Sequence, residues 1–445
     1  MRVAFVPIDN RPVCYSLVRD ITAVDESIEL ILPPREILGG LTKKSDIDGL
    51  FNWLKKIPEC DTIILSLDTL AYGGLIPSRR SNETFSEIKS RLGDLKEILK
   101  NKNAKIYAFS SIMRISNNNF NDEEKEYWSK YGKKIFEYSY NFHKYGKAES
   151  TGVPNDILND YLETRKRNFE INKVYLEWQK EGFFDTLVFS KDDCAEYGLN
   201  VKEALELEKL GGFTKTGADE IPLSLLSRSI KKEIKVFVEY TEPDCKDLIS
   251  NYEDVSVEKT VLGQLELGGF SVVNSKNEAD VVLIINNFRE KQGEHVMGWD
   301  TSPLNKVINF PTEKLYAVAD IRYANGADNS FVEQLLKNID GNFIGYAGWN
   351  TSANTIGSLL AEVKVRYKAE KYNETAFNKL QIIRFLDDWA YQANVRKKVM
   401  IPSDIKGLMM PYAVKLSGIF EYKTDCISIS YMYPWERTFE IEILI

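Results

Sequence analysis

Residues 186–193 read Thr186-Leu187-Val188-Phe189-Ser190-Lys191-Asp192-Asp193, a short apolar and β-branched run that stops abruptly at two adjacent carboxylates. Such a run is long enough for a buried strand and too short for a helix, and polar residues mark its end. The same unit recurs along the chain. Val3 to Val6 lead into Asp9-Asn10-Arg11-Pro12, Thr62 to Leu65 into Asp68 and Gly73-Gly74, and Ile106 to Phe109 into Ser110, Ser111 and Arg114. Val236 to Val238 lead into Tyr240 and Glu242, Val281 to Ile285 into Asn286-Asn287, Leu315 to Ala319 into Asp320, and Phe343 to Gly345 into Trp349-Asn350. Eight strands separated by helical segments predict a parallel α/β fold.

Eight strands with polar carboxyl ends fit a (β/α)8-type barrel, whose active-site groups collect at that face. Two weaker strands, Ile28 to Leu32 and the approach to Thr216, together with a βα step over Val255 to Asn274, fit two doubly wound α/β lobes instead. The barrel reading places one main domain over residues 1–365. A helical insertion over about 115–183 interrupts it, and a C-terminal helix plus β-hairpin follows over 366–445. In the insertion, Ile171, Val174, Tyr175 and Trp178 fall at helical spacing and predict an amphipathic face that packs on something. A cap or lid over the strand ends is the expectation. The tail predicts a long helix over Phe377 to Val399 and an antiparallel hairpin over Cys426 to Ile445.

Composition narrows the chemistry. The 445 residues carry 58 Lys+Arg against 66 Asp+Glu, a net charge of −8, which argues against binding to nucleic acid or an anionic membrane surface. Lysines interleaved with aromatics in the insertion do not outweigh that balance. With His143 and His295 the sole histidines, a His-rich metal site or a Ser-His-Asp triad has little to draw on. Five scattered cysteines without a CxxC pair fit reduced thiols, and no apolar run reaches membrane length. A cytoplasmic protein without a cofactor is expected, acting on a small molecule or oligosaccharide, with a homo-oligomer left open.

The carboxylates then carry the chemistry or nothing does. Asp192-Asp193 is the sharpest feature, because close like charges raise one pKa and produce an acid beside an anion at neutral pH. The alternative is one helix cap and one solvated Asp. Asp9, Asn10 and Arg11 offer a substrate clamp or a plain turn, and Asp68 stands before Gly73-Gly74, which permit close backbone approach to a ligand. Arg114 reads as a substrate group or as the ion-pair partner of Asp68 or Asp193. Asp219 and Glu220 read as substrate-binding or as capping residues before Ile221-Pro222. Asp320, Asn325 and Asp328 form a polar loop that can ligate through oxygen. Trp349, Asn350 and Asn354 suggest a sugar platform, with an apolar face for the ring and amides for its hydroxyls, unless Trp349 is core. No Walker A, strand-linked GxGxxG or HExxH motif occurs.

VPIDNRPV, LPPREILGG, SLDTLAYGGLIPSR, YAFSSIMR, SKDDCAEYG, GADEIPLSLLSR, YAGWNTSANTIG and PWERTFEIEI together resemble the bacterial domain-of-unknown-function family numbered 4127, nearly end to end. That likeness implies no reaction. Strand order and one dipeptide also resemble the O-GlcNAcase and hyaluronidase-like glycosidases, (β/α)8 barrels with an Asp-Asp pair after the fourth strand. This second likeness implies substrate-assisted hydrolysis of N-acetylhexosaminides, with Asp192 polarising the acetamido group and Asp193 the general acid. Arg11 and the GADE segment have no counterpart there. The expected function is a metal-independent carbohydrate-active hydrolase. The alternatives are a divalent-metal hydrolase using Asp9, Asp68, Asp192 and Asp320, and a non-catalytic sugar-binding protein.

Overall fold

The structure is a computed structural model that describes residues 1–148, 152–399, 405–422 and 428–445. Its chain divides into two compact units. The first comprises Met1–Tyr15, Glu29–Leu225 and Tyr252–Asp254; the second comprises Ser16–Ile28, Leu226–Asn251 and Val255–Ile445. Residues from 366 on are grouped with the second unit, and the stretch 1–365 is shared between both.

In the first unit β1 (Arg2–Val6), β2 (Glu29–Ile31), β3 (Thr62–Ser66), β4 (Lys105–Ile112), β5 (Thr186–Lys191) and β6 (Thr214–Thr216) form one six-stranded sheet. The order is β2-β1-β3-β4-β5-β6, and every pair is parallel. The central strands are continuous apolar runs because helices cover both faces of such a sheet. All five residues of β3 are buried. Ala4, Val6, Ile63, Leu65, Ala108, Leu187 and Phe189 pack with Leu50 and Leu54 of one helix and Leu92, Leu95 and Leu99 of another.

The insertion splits into two roles. Helix Asn155–Lys180 sends Ile171, Tyr175 and Trp178 into the sheet's core, so it is the β4-to-β5 crossover and not a lid. Helix Trp128–Tyr145 builds a separate cluster in which Trp128 and Ile135 meet Met113 and Ile115, just past β4, and Leu199, past β5. The first turns of helix Asn155–Lys180 join this cluster through Leu158 and Tyr161.

The second unit repeats the plan with β7 (Lys235–Tyr240), β8 (Ser271–Val272), β9 (Val281–Asn286), β11 (Leu315–Asp320) and β13 (Phe343–Ala347), ordered β13-β11-β9-β7-β8 and all parallel. Between them lie β10 (Gly293–Glu294) and β12 (Tyr323–Ala324), a short parallel pair. Near the C-terminus β14 (Ser430–Met432) and β15 (Glu442–Leu444) form the expected antiparallel pair, although Cys426 lies outside the described residues. The expected tail helix is α-helical over Glu374–Arg384 and then continues as a π-helix over Phe385–Val395.

Closure into a barrel is not seen among the described residues. The eight strong strands divide into β1, β3, β4 and β5 on one sheet and β7, β9, β11 and β13 on the other. The weak strands β2 and β6 end the first sheet, and the weak β8 and the strong β13 end the second. In each sheet the order reverses next to the first strand, between β1 and β3 and between β7 and β9. Open α/β sheets bind ligands beyond the carboxyl ends of the strands at such a reversal.

A carboxylate-rich edge on the first sheet

The loop after β1 is tied by its own side chains. Asp9 Oδ1 accepts the Arg11 backbone N–H at 2.9 Å, and Arg11 Nε donates to both Asp9 oxygens at 3.0 and 2.9 Å. The other end of the same guanidinium donates to Asp219, from Nη2 at 2.6 Å and from Nη1 at 3.2 Å. Asp219 follows β6, four places from β1 in the sheet and so roughly 19 Å away at strand spacing. The loops therefore fold back across the carboxyl edge to meet. Burial pushes the Asp9 carboxyl up, against the pull of Arg11. Arg11, expected as a clamp on substrate, clamps two carboxylates of its own chain. Asn10 serves the same turn, its carbonyl accepting from Arg35 at 2.9 and 2.7 Å.

Asp68 stands at the end of β3, across the sheet's reversal point from Asp9. It is buried, accepts the Ser111 backbone N–H at 2.7 Å, and is pushed up to about 7 by that burial. The Gly73 expected to admit a ligand instead admits chain. Its φ is +88°, a Cβ there would press on the Lys44 Cβ, and its carbonyl accepts from Ser45 N at 2.9 Å.

Asp192 and Asp193 leave β5 beside Arg114, which leaves β4. Arg114 Nη1 lies 3.0 Å from Asp193 Oδ2 and 3.6 Å from Asp192 Oδ2. Asp193 has φ +44°, a left-handed conformation unusual for a residue with a side chain and one that clusters at functional sites. Burial first, and the neighbouring Asp193 charge second, push Asp192 up to about 7, so a proton is held there near neutrality. Arg114 also binds Glu124 through Nε at 3.1 Å and Glu123 through Nη2 at 2.9 Å. Behind it sits Arg79, 2% exposed, with Nη2 3.5 Å from Glu123 and Nε 3.6 Å from Glu124. Its Nε and Nη1 make no hydrogen bond. A buried donor left unpaired costs about 1–3 kcal/mol, and more on a charged group.

Arg79, Glu123 and Glu124 were not legible as site residues. Nothing within PSRR or NDEEKE sets their charges apart, and the hints were the placement of Arg79 soon after Gly73-Gly74 and at the end of SLDTLAYGGLIPSR.

Glu220 is engaged within its own loop. Its carboxylate curls over its own loop to accept the Ala218 N–H at 3.0 Å, in the space where a Cβ on Gly217 would lie. Gly217 has φ +109°. Gly217→Ala is therefore expected to destabilise the protein by about 1–3 kcal/mol through backbone strain and the displaced carboxylate. An unchanged urea midpoint would show that the loop absorbs both.

The remaining expected residues lie on the second sheet and are engaged locally. Asp320 ends β11, fully buried, accepting from Asn286 Nδ2 at 2.8 Å and from Asp328 N at 2.7 Å. Asp328 caps the next helix through Ser330 N at 3.0 Å, and Arg322 Nε lies 3.3 Å from it. Asn325 Nδ2 donates to Glu294 at 2.7 Å. Asn350 Oδ1 accepts from Thr351 N at 2.7 Å and from Asn354 Nδ2 at 3.2 Å, which fixes a turn. Trp349 does not present a sugar platform: it is 7% exposed and packs on Phe439, ring centroids 5.9 Å apart. The two histidines are structural as well. His143 Nδ1 accepts the Gly198 N–H at 3.0 Å, and His295 stacks on Tyr323.

Asp9, Asn10, Arg11, Asp68, Arg114, Asp192, Asp193, Asp219 and Glu220 thus share the first unit, while Asp320, Asn325, Asp328, Trp349, Asn350 and Asn354 share the second. Among the described residues no group of three or more His, Cys, Asp and Glu side chains is arranged to hold a metal ion, and no helix is long and apolar enough to cross a membrane. Cys14, Cys60, Cys194 and Cys245 form no disulfide.

Fold and edge together define an α/β protein of open parallel sheets with buried carboxylates and arginines at the strand ends of the first. The chain belongs to the family described as protein of unknown function DUF4127, which matches residues 3–410. No curated protein and no solved structure matches it.

Proposed function

We propose that the first unit carries the catalytic groups of a carbohydrate-active hydrolase that cleaves glycosidic bonds, with N-acetylhexosamine-containing glycans the favoured substrates. One observation carries the reading: two adjacent carboxylates end β5, one held protonated near neutrality and the other hydrogen-bonded to Arg114. General-acid catalysis works best when the acid's pKa lies near the working pH. Asp192 is then the acid that protonates the departing glycosidic oxygen, and Asp193 the anion that orients and polarises the acetamido group as its oxygen attacks the anomeric carbon. This exchanges the roles implied by the barrel glycosidases. Those enzymes lend no support from fold, since the strands here form two open sheets; the support is the pair itself and its place at the edge where such sheets bind ligands.

A panel of 4-nitrophenyl glycosides, N-acetylglucosaminides included, tests this with wild type, Asp192→Asn and Asp193→Asn. Hydrolysis by wild type that resists EDTA and is lost in both variants supports it. Equal activity in all three proteins removes the roles. Stabilisation by sugars without turnover at any pH points to a binding protein instead.

A further inference from the structure

Arg79 is a charged group of the first unit whose hydrogen bonding the local structure leaves unfinished. It sits at the carboxyl edge, buried, with Nε and Nη1 lacking hydrogen-bond partners. Four carboxyl groups face it. Glu123 and Glu124 are shared with Arg114, which takes the shorter contacts, 2.9 and 3.1 Å against 3.5 and 3.6 Å for Arg79. Asp68 and Asp192 lie within its electrostatic reach. A guanidinium is a planar fork that matches the paired oxygens of an oxyanion, and folded proteins rarely bury one with donors idle.

We propose that Arg79 receives an anionic group of the substrate, the carboxylate, phosphate or sulfate of an acidic sugar. The sugar rests on the hydrolase reading above; the anion rests on Arg79 alone. The surrounding acids do not forbid it. Glu123 and Glu124 are held closer by Arg114 than by Arg79, and burial holds both Asp68 and Asp192 toward their neutral forms. As neutral acids they present O–H donors to a bound anion. Facing Asp192 are also Asp193, Arg114 and Asp219, and facing Asp68 the Ser111 N–H. A bound anion favours the protonated state of both acids, so binding takes up protons and weakens as pH rises through about 7.

Titration calorimetry at pH 6 and pH 8 tests this on the full chain. The probes are methyl glucuronide, glucose 6-phosphate, glucose 6-sulfate, neutral methyl glucoside, and inorganic phosphate and sulfate. At pH 6 the acidic sugars should bind about tenfold to a hundredfold more tightly than the neutral one, the range of a charge-assisted hydrogen bond. Heats in buffers of different ionisation enthalpy should report proton uptake. Arg79→Gln should abolish the preference and Arg79→Lys should keep part of it. Inorganic phosphate or sulfate binding that depends on Arg79, with no sugar binding, keeps the anion site and removes the carbohydrate reading. Neutral glucoside binding as tightly as its acidic counterparts in wild type overturns the inference, whether or not the variants fold. So does a preference that survives in Arg79→Gln, or the failure of every anion to bind.

Discussion

Arg11→Met should lower the free energy of unfolding by about 3–5 kcal/mol, the usual cost of removing one partner from a buried ion pair. Arg11, Asp9 and Asp219 are each less than a tenth exposed, and one guanidinium serves both carboxylates. Methionine keeps much of the volume and removes the charge, leaving two buried carboxylates facing each other. The Asp9 carboxyl, already pushed up by burial, then rises further without the pull of Arg11, so the variant's deficit should be greatest near pH 7–8 and shrink as acid protonates it. Arg11→Lys should recover only part of the loss, because one ammonium cannot reproduce a fork that donates from Nε to Asp9 and from both Nη atoms to Asp219. Urea unfolding followed by circular dichroism at pH 5 and pH 8 measures both effects. A loss below about 1 kcal/mol at pH 8, the scale of an exposed pair, would return Arg11 to the role its sequence suggested, a free clamp whose removal raises KM and spares stability.

That contrast shows where sequence stops informing. The central strands were legible because both faces of a parallel sheet are covered, which writes each strand as an uninterrupted apolar run such as Val281 to Ile285. The same runs fit a barrel or two open sheets equally well. What separates these is the existence of edges, and three of the four edge strands carry the weakest signals: β2, β6 and β8 are short and have no buried residue, while β13 is fully buried and reads like a central strand. The helical period of Ile171, Tyr175 and Trp178 was plain, but its partner was the sheet and not the strand ends, a fact of tertiary packing. At the site, Asp192-Asp193 announced itself because both residues are adjacent in the chain. Arg79, Glu123 and Glu124 did not, because their meaning lies in contacts with Arg114 across loops. Trp349 beside Asn350 had the composition of a sugar platform. Its burial depends on Phe439, which no local pattern connects to it.

Asp192→Asn should combine two effects of opposite sign. Removing a general acid typically lowers kcat/KM by about 10²–10⁴-fold, and wild-type activity should itself decline above pH 7 as Asp192 loses its proton. The pH profile of any residual activity in the variant should lack that limb. Stability should move the other way. A carboxyl whose folded pKa is about 7, against 3.8 when free, favours the folded state while protonated, and that contribution is lost as pH rises from about 4 through 7. Asparagine has the same shape and no charge to bury, so the variant should match wild type only below about pH 4, exceed it slightly at pH 5, and exceed it at pH 8 by an amount on the order of a few kcal/mol. Asp68→Asn should gain stability at pH 8 for the same reason, since the amide oxygen can still accept the Ser111 N–H. A carboxylate kept only for structure would show the reverse, because its removal would cost stability wherever it is ionised. Proteins retain destabilising charges where activity needs them. Thermal melts at pH 5 and pH 8 beside pH-rate profiles separate the two cases, and an Asp192→Asn protein less stable than wild type at pH 8 would place Asp192 among the structural ion pairs.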